Sequence, residues 1–203
     1  MDGVALERWA PSPFNKVFTP MRVRASVALR YTRTARILHW LVALFILTNL
    51  AIGLCMEHFP GYLHKSPEWN GILFWHGSIG ALVLWLVVAR IIWRSGHRPP
   101  PLPMSVPTWQ AWMAHGVHGL LYVAMLALPL SGYAHRVAGN HPVSFFGLWS
   151  WPDLFEPNES LRVLFGGIHI YLALGLGGLL VLHLGAVLKH LLIDRDGVVR
   201  RML

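Results

Sequence analysis

Cysteine, acidic side chains and charge of either sign are all scarce in this chain of 203 residues. Cys55 stands alone, which excludes an internal disulfide and a thiolate-held cluster. Charged residues make up only 13%, hydrophobic ones 55%, and the long uncharged runs are parted by proline-rich or charged segments, the pattern of an integral membrane protein. No Gly-rich phosphate loop and no nucleophile motif occurs, which argues against nucleotide chemistry and hydrolysis. Ahead of the first apolar run there is no uninterrupted hydrophobic stretch with a small-residue cleavage site, so a cleaved signal peptide is not expected. The net charge of +8 follows the membrane rather than a nucleic acid, and no nucleic-acid partner is expected.

What is present is four apolar runs, at 36–56, 71–93, 111–133 and 163–192, each about the length that a hydrocarbon core of roughly 30 Å demands. They predict an all-α bundle of four transmembrane helices in contact with lipid. The connector at 96–107 is proline-rich and continues neither neighbour. The longer one at 134–161 places Phe145, Phe146, Trp149, Trp151 and Phe155 among turn residues, which suits a loop at headgroup level. Residues 1–30, with prolines at 11, 13 and 20, read as an extension outside the bundle, and 31–203 as the membrane domain. Fourteen Lys and Arg residues fall on the N-terminus, the second connector and the tail, against Lys65, Arg136 and Arg162 on the other side. That asymmetry predicts both termini in the cytoplasm, hence a multi-pass protein of a bacterial inner membrane.

Twelve histidines, against nine acidic residues, make imidazole the available ligand. His169 and His183 share the last apolar run. Fourteen residues of helix separate them by roughly 21 Å and return both rings to nearly one side. Gly166, Gly167, Gly175, Gly177, Gly178 and Gly185 leave room beside them for a flat ligand or a neighbouring helix. His76, followed by Gly77 and Gly80, lies at the depth of His169, and axial ligation of a haem between them is the reading. No C-x-x-C-H tract exists to attach haem covalently. For His183 the partner is open between His39, set just inside Arg33 and Arg36, and His115 or His118 on the third run. His190 rivals His183 on the same face, but would put one site in the headgroups, about 31 Å from the other. A zinc site is not expected, because His115 and His118 offer only two ligands. His58, His64, His97, His135 and His141 fall in connectors and read as solvated surface side chains.

The set L-H-W at residues 38–40, H-G-x-x-G at 76–80 with Arg90 following, A-H-x-x-H at 114–118 leading to Pro129 and Gly132, and the pair His169 and His183 resembles the bacterial cytochrome b561 family. The resemblance covers about residue 36 to the C-terminus; the first thirty residues have no counterpart in it. It implies a four-helix membrane cytochrome enclosing two b-type haems, with His39 and His183 as axial iron ligands of the inner haem and His76 and His169 of the outer one. It also implies electron transfer between an outer-side donor and the quinone pool, with ubiquinone as acceptor. The alternatives are a superoxide:quinone oxidoreductase, as among characterised family members, and a haem subunit serving a dehydrogenase or hydrogenase as redox partner protein. A haemless transporter using histidines as a proton relay is the rival from another class. The two outer connectors hold three basic residues against Glu57, Glu68, Asp153, Glu156 and Glu159, a balance that does not favour collection of an anion.

Overall fold

The computed structural model describes residues 30–59 and 67–203, so almost all of the expected extension at 1–30, together with His64 and Lys65, lies outside the described residues. Four long apolar helices dominate. Helix α1 (Arg33–His58) begins where the Thr32 hydroxyl accepts the Ala35 N–H at 3.2 Å. Helix α2 spans Trp69–Gly96, and α3 (Thr108–Ala138) starts directly after Pro107. Helix α4 (Glu159–Leu188) is capped by Asn158, whose Oδ1 accepts the Leu161 N–H at 3.0 Å. It widens into a π-helical turn, Lys189–Asp194, and stops where Arg195 takes a left-handed φ of 50°. Helices α1, α2 and α3 outrun their apolar runs by a few residues at both ends, and α4 does so at its start. In α3 this matters, because the helix takes in His135 and Arg136, which composition alone assigns to a connector.

The two ends of the bundle differ. At one, the connector between α3 and α4 folds into a small antiparallel hairpin, β1 (Ser144–Phe145) and β2 (Trp149–Ser150), rather than an irregular loop. Its turn uses left-handed backbone at Phe146 and Gly147. Ser78 of α2, fully buried, donates to the Ser144 carbonyl at 3.1 Å and accepts the Phe146 N–H at 3.2 Å, which pins the hairpin to the bundle. At the other end the C-terminal tail folds back. Arg201 accepts the Tyr31 N–H at 3.1 Å through its carbonyl, Met202 accepts Trp40 Nε1–H at 3.1 Å, and Arg36 bonds the Leu203 carbonyl. We call these the hairpin end and the tail end.

Between them Val42, Ile46, Val83, Val87, Leu121 and Leu176 form the core. Helix α4 packs along α3, α1 along α2, and α2 on α3, while α4 stands off from α1 and α2. Outside, the helices are apolar all round: Val181 and Leu182 expose 72% and 62% of their surface. Only lipid can cover so much apolar side chain, and a helix satisfies its own backbone there.

Replacing Ser78 by Ala leaves two buried backbone groups of the hairpin without a partner, a cost of about 1–3 kcal/mol. A lower melting temperature in detergent and faster amide exchange at residues 144–146 are expected; unchanged values of both would show that the hairpin holds without Ser78.

Candidate functional site

The gap between α4 and the α1–α2 pair is crossed twice, each time by histidines. At the hairpin end His76 of α2 faces His169 of α4, ring centres 6.0 Å apart and planes at 81°. At the tail end His39 of α1 faces His183 of α4 at 6.3 Å and 69°. An imidazole nitrogen binds a transition metal at about 2 Å and lies about 1 Å from its ring centre, so two rings sharing one ion end to end stand about 6 Å apart. All four of these rings are half-buried.

His169 shows how the sequence places such a ring. Pro129 lacks the N–H that the Met125 carbonyl would receive, and Ser131 bonds back to the Leu128 carbonyl at 2.7 Å; both loosen the α3 ladder here. His169 Nδ1 approaches the same carbonyl at 3.0 Å and Ser131 Oγ at 3.1 Å. A carbonyl only accepts, so His169 carries its proton on Nδ1 and keeps the Nε2 lone pair free. Glycine supplies the space. A Cβ at Gly132 would stand 2.8 Å from His169 Cε1, and one at Gly53 would stand 3.3 Å from His76 Cε1.

A cavity of about 690 Å³ surrounds the hairpin-end pair, with Met125, Pro129 and Gly80 among its apolar walls and Arg136 at its polar side. That volume suits a cofactor-sized ligand. Three groups around it are buried with no hydrogen-bond partner: His76 Nδ1, Asn49 Oδ1 and Trp151 Nε1. Of these, Trp151 Nε1–H is a donor that a ligand carboxylate would accept, and an imidazole nitrogen is a donor to a metal.

The other candidate residues divide. His118 lies 5.5 Å from His183 but stays exposed, at the margin of the tail-end pair. His115 is also exposed, and its Nδ1–H donates to the Ala111 carbonyl at 2.6 Å. His190 is turned away and tied to Asp196 at 2.6 Å, with Asp194 at 3.3 Å. This trio has the composition of a metal site, yet Lys189 already pairs with Asp194 at 2.5 Å and Asp196 also accepts the Val198 N–H at 3.0 Å. It closes the end of α4. His135 is not a solvated connector side chain: it sits in α3, half-buried against the cavity, and its Nδ1–H donates to the Arg162 carbonyl at 2.8 Å.

Two charges carry more than their sequence positions suggest. Arg90 donates from Nε to Tyr122 Oη at 2.9 Å, keeps a buried Nη1 without a partner, and lies within electrostatic reach of His39, His118 and His183. A half-buried guanidinium with a free donor is suited to a carboxylate. At the hairpin end Arg162 is engaged by Glu159 in a bidentate pair at 2.5 and 2.6 Å, whereas Arg136 has no ion-pair partner among the described residues.

Such a molecule, with lipid-facing helices and paired imidazoles in its interior, is a membrane protein of the redox-carrier class. The family profile described as prokaryotic cytochrome b561 matches residues 30–203. The chain is 34% identical over 178 residues to cytochrome b561 homolog 2 of Escherichia coli strain K12, covering 86% of this chain and 91% of that one. It is 31% identical over 176 residues to cytochrome b561 homolog 1 of the same organism, covering 86% and 97%. To the probable superoxide oxidase CybB of Yersinia pestis it is 26% identical over 167 residues, covering 82% and 91%. The chain belongs to the prokaryotic cytochrome b561 family, membrane b-type cytochromes of electron transfer, and membership implies b-type haem.

Gly132→Ala forces a methyl into His169, an overpacking worth about 1–3 kcal/mol. Gly71→Ala, which meets nothing within 4 Å, is the control. Reduced haem absorbance and melting temperature in the first but not the second is the expected outcome, and equal behaviour of the two would show that His169 can move freely.

Proposed function

We propose that this chain is a dihaem b-type cytochrome that carries electrons across the inner membrane from a donor at the hairpin end to the quinone pool. His76 and His169 hold one haem, His39 and His183 the other. The tail end, with its Lys and Arg residues, faces the cytoplasm; residues 1–30 extend from that side of the 31–203 domain. The observation that carries the reading is the double crossing of the bundle by half-buried imidazole pairs at 6.0 and 6.3 Å. The two pairs are about 21 Å apart along α4. When bound, b-type haem supplies one-electron reduction and reoxidation at its iron.

The chain's own residues account for the rest. The glycines admit the rings, the apolar walls exclude water, and the Nδ1–H bond of His169 aims its Nε2 into the cavity. Arg90 at the tail end and Arg136 at the hairpin end are placed to meet haem carboxylates. His39 is preferred to His118 beside His183 because it is half-buried while His118 is exposed. That exposure suits His118 to quinone, with ubiquinone as the acceptor: an imidazole beside the ligand pair can pass a proton to a reduced quinone oxygen.

Left free of haem carboxylates, Arg136 favours a second reading of the donor. An unpaired cation at the wall of the hairpin-end cavity attracts an anion such as superoxide even though the connectors are acidic overall. Arg162, neutralised by Glu159, contributes less. In that reading the chain is an enzyme, a superoxide:quinone oxidoreductase.

Replacing His76 or His169 by Ala is expected to remove one haem and leave the other; His39→Ala or His183→Ala should remove the opposite one. Two full haems in His183→Ala would overturn the tail-end assignment. With haem content intact, His118→Ala is expected to slow quinone reduction more than His115→Ala, and unaltered rates in both would move the quinone site elsewhere. The donor is decided by the rate of haem reduction by superoxide against ionic strength. A near-diffusion rate that falls with salt and in Arg136→Ala, less in Arg162→Ala, would establish superoxide. A slow rate indifferent to salt would leave a redox partner protein, such as a membrane dehydrogenase or hydrogenase, as the donor.

A further inference from the structure

The four imidazoles are not equivalent. His169 has its second nitrogen held by two protein acceptors: Nδ1 lies 3.0 Å from the Leu128 carbonyl and 3.1 Å from Ser131 Oγ. His76 has only the Asn49 backbone beside it and no hydrogen bond of good geometry at Nδ1, and neither His39 nor His183 makes a hydrogen bond among the described residues. Ser131 is 7% exposed, and its own proton is committed to the Leu128 carbonyl at 2.7 Å. Its lone pairs are therefore left to face His169, and the Nδ1–H proton is shared between two acceptors. Around them Gly132 permits the contact, since any Cβ there would occupy the place of the ring.

Taking His169 as an axial ligand, as proposed above, we infer that Ser131 is a positioning residue that, with the Leu128 carbonyl, clamps the His169 Nδ1–H and lowers the reduction potential of the hairpin-end haem. Acceptors on Nδ1–H draw the proton outward and give the ring partial imidazolate character. Such a ring donates more electron density through Nε2 and favours ferric over ferrous iron. No proton is lost and no bond is made: the clamp shifts a one-electron equilibrium. At the tail end the opposite bias operates, because the half-buried Arg90 cation lies near His39 and His183, neither of which has such an acceptor. Together the two biases push an electron from the hairpin end toward the tail end, the direction that delivery to quinone at the cytoplasmic side requires.

The test is a redox titration of the purified, haem-loaded protein in wild type, Ser131→Ala, Ser131→Thr and Ser131→Cys. The hairpin-end potential is identified as the one missing from His169→Ala. In Ser131→Ala it is expected to rise while the tail-end potential stays fixed and both haems are retained, and the low-spin ferric electron paramagnetic resonance signal of the same haem shifts with it. Ser131→Thr, which keeps a hydroxyl, restores the wild-type value. If the Ala variant does not accumulate, Ser131→Cys, with a weaker acceptor of similar shape, gives the same upward shift in smaller measure. An unmoved or lowered hairpin-end potential with both haems present would overturn the clamp. Retention of both haems in His169→Ala would instead overturn the ligand assignment on which the clamp rests.

Discussion

An imidazole inside a hydrocarbon layer must be given a partner, and α4 carries two of them on one face. The fold is arranged around that demand. Helix α4 lies along α3 and stands away from α1 and α2, and the space so left is crossed by His169 toward His76 and by His183 toward His39. A polar group in this position costs several kcal/mol when unmet, on the order of the whole margin by which a domain stays folded. A metal shared by paired rings would take up one nitrogen of each, and the second nitrogen of each ring still needs a partner of its own.

Much else follows from keeping the rings where they are. Gly132 and Gly53 stand where a side chain would strike them. The Leu128 carbonyl takes both the Ser131 hydroxyl and the His169 Nδ1–H, which ties the ring to α3. The ends of the bundle are closed by polar devices that hydrocarbon could not supply: Ser78 holds the hairpin, and the folded-back tail bonds α1 at Trp40 and Arg36. Arg90 and Arg136 each sit at one level of the imidazole pairs, so the two cations are separated as the pairs are.

The four spans were legible in the sequence because hydropathy sets span length, and helical rise put His76 and His169 at one depth, where their rings stand 6.0 Å apart. The partner of His183 was not. His39 and His118 both approach it, and their difference is exposure, which is a property of neighbouring helices rather than of spacing. His135 was hidden by the polar residues around it: Arg136 and Asn140 read as loop, yet α3 runs on to Ala138 and buries the ring against α4. Arg162 counts among the outer basic residues, but Glu159, one turn before it, takes that charge, as an i,i+3 pair on a first helical turn readily does. Ser131 gave no signal, since a lone serine in an apolar run is ordinary until its neighbours are known.

Haem content and coordination of the full-length protein, purified in detergent, test the central claim most directly. Two b-type haems per chain are expected by pyridine haemochrome assay, both six-coordinate and low-spin in the ferric state, as ligation by two imidazoles requires. One haem per chain, a high-spin ferric centre, or a folded protein with none would contradict it.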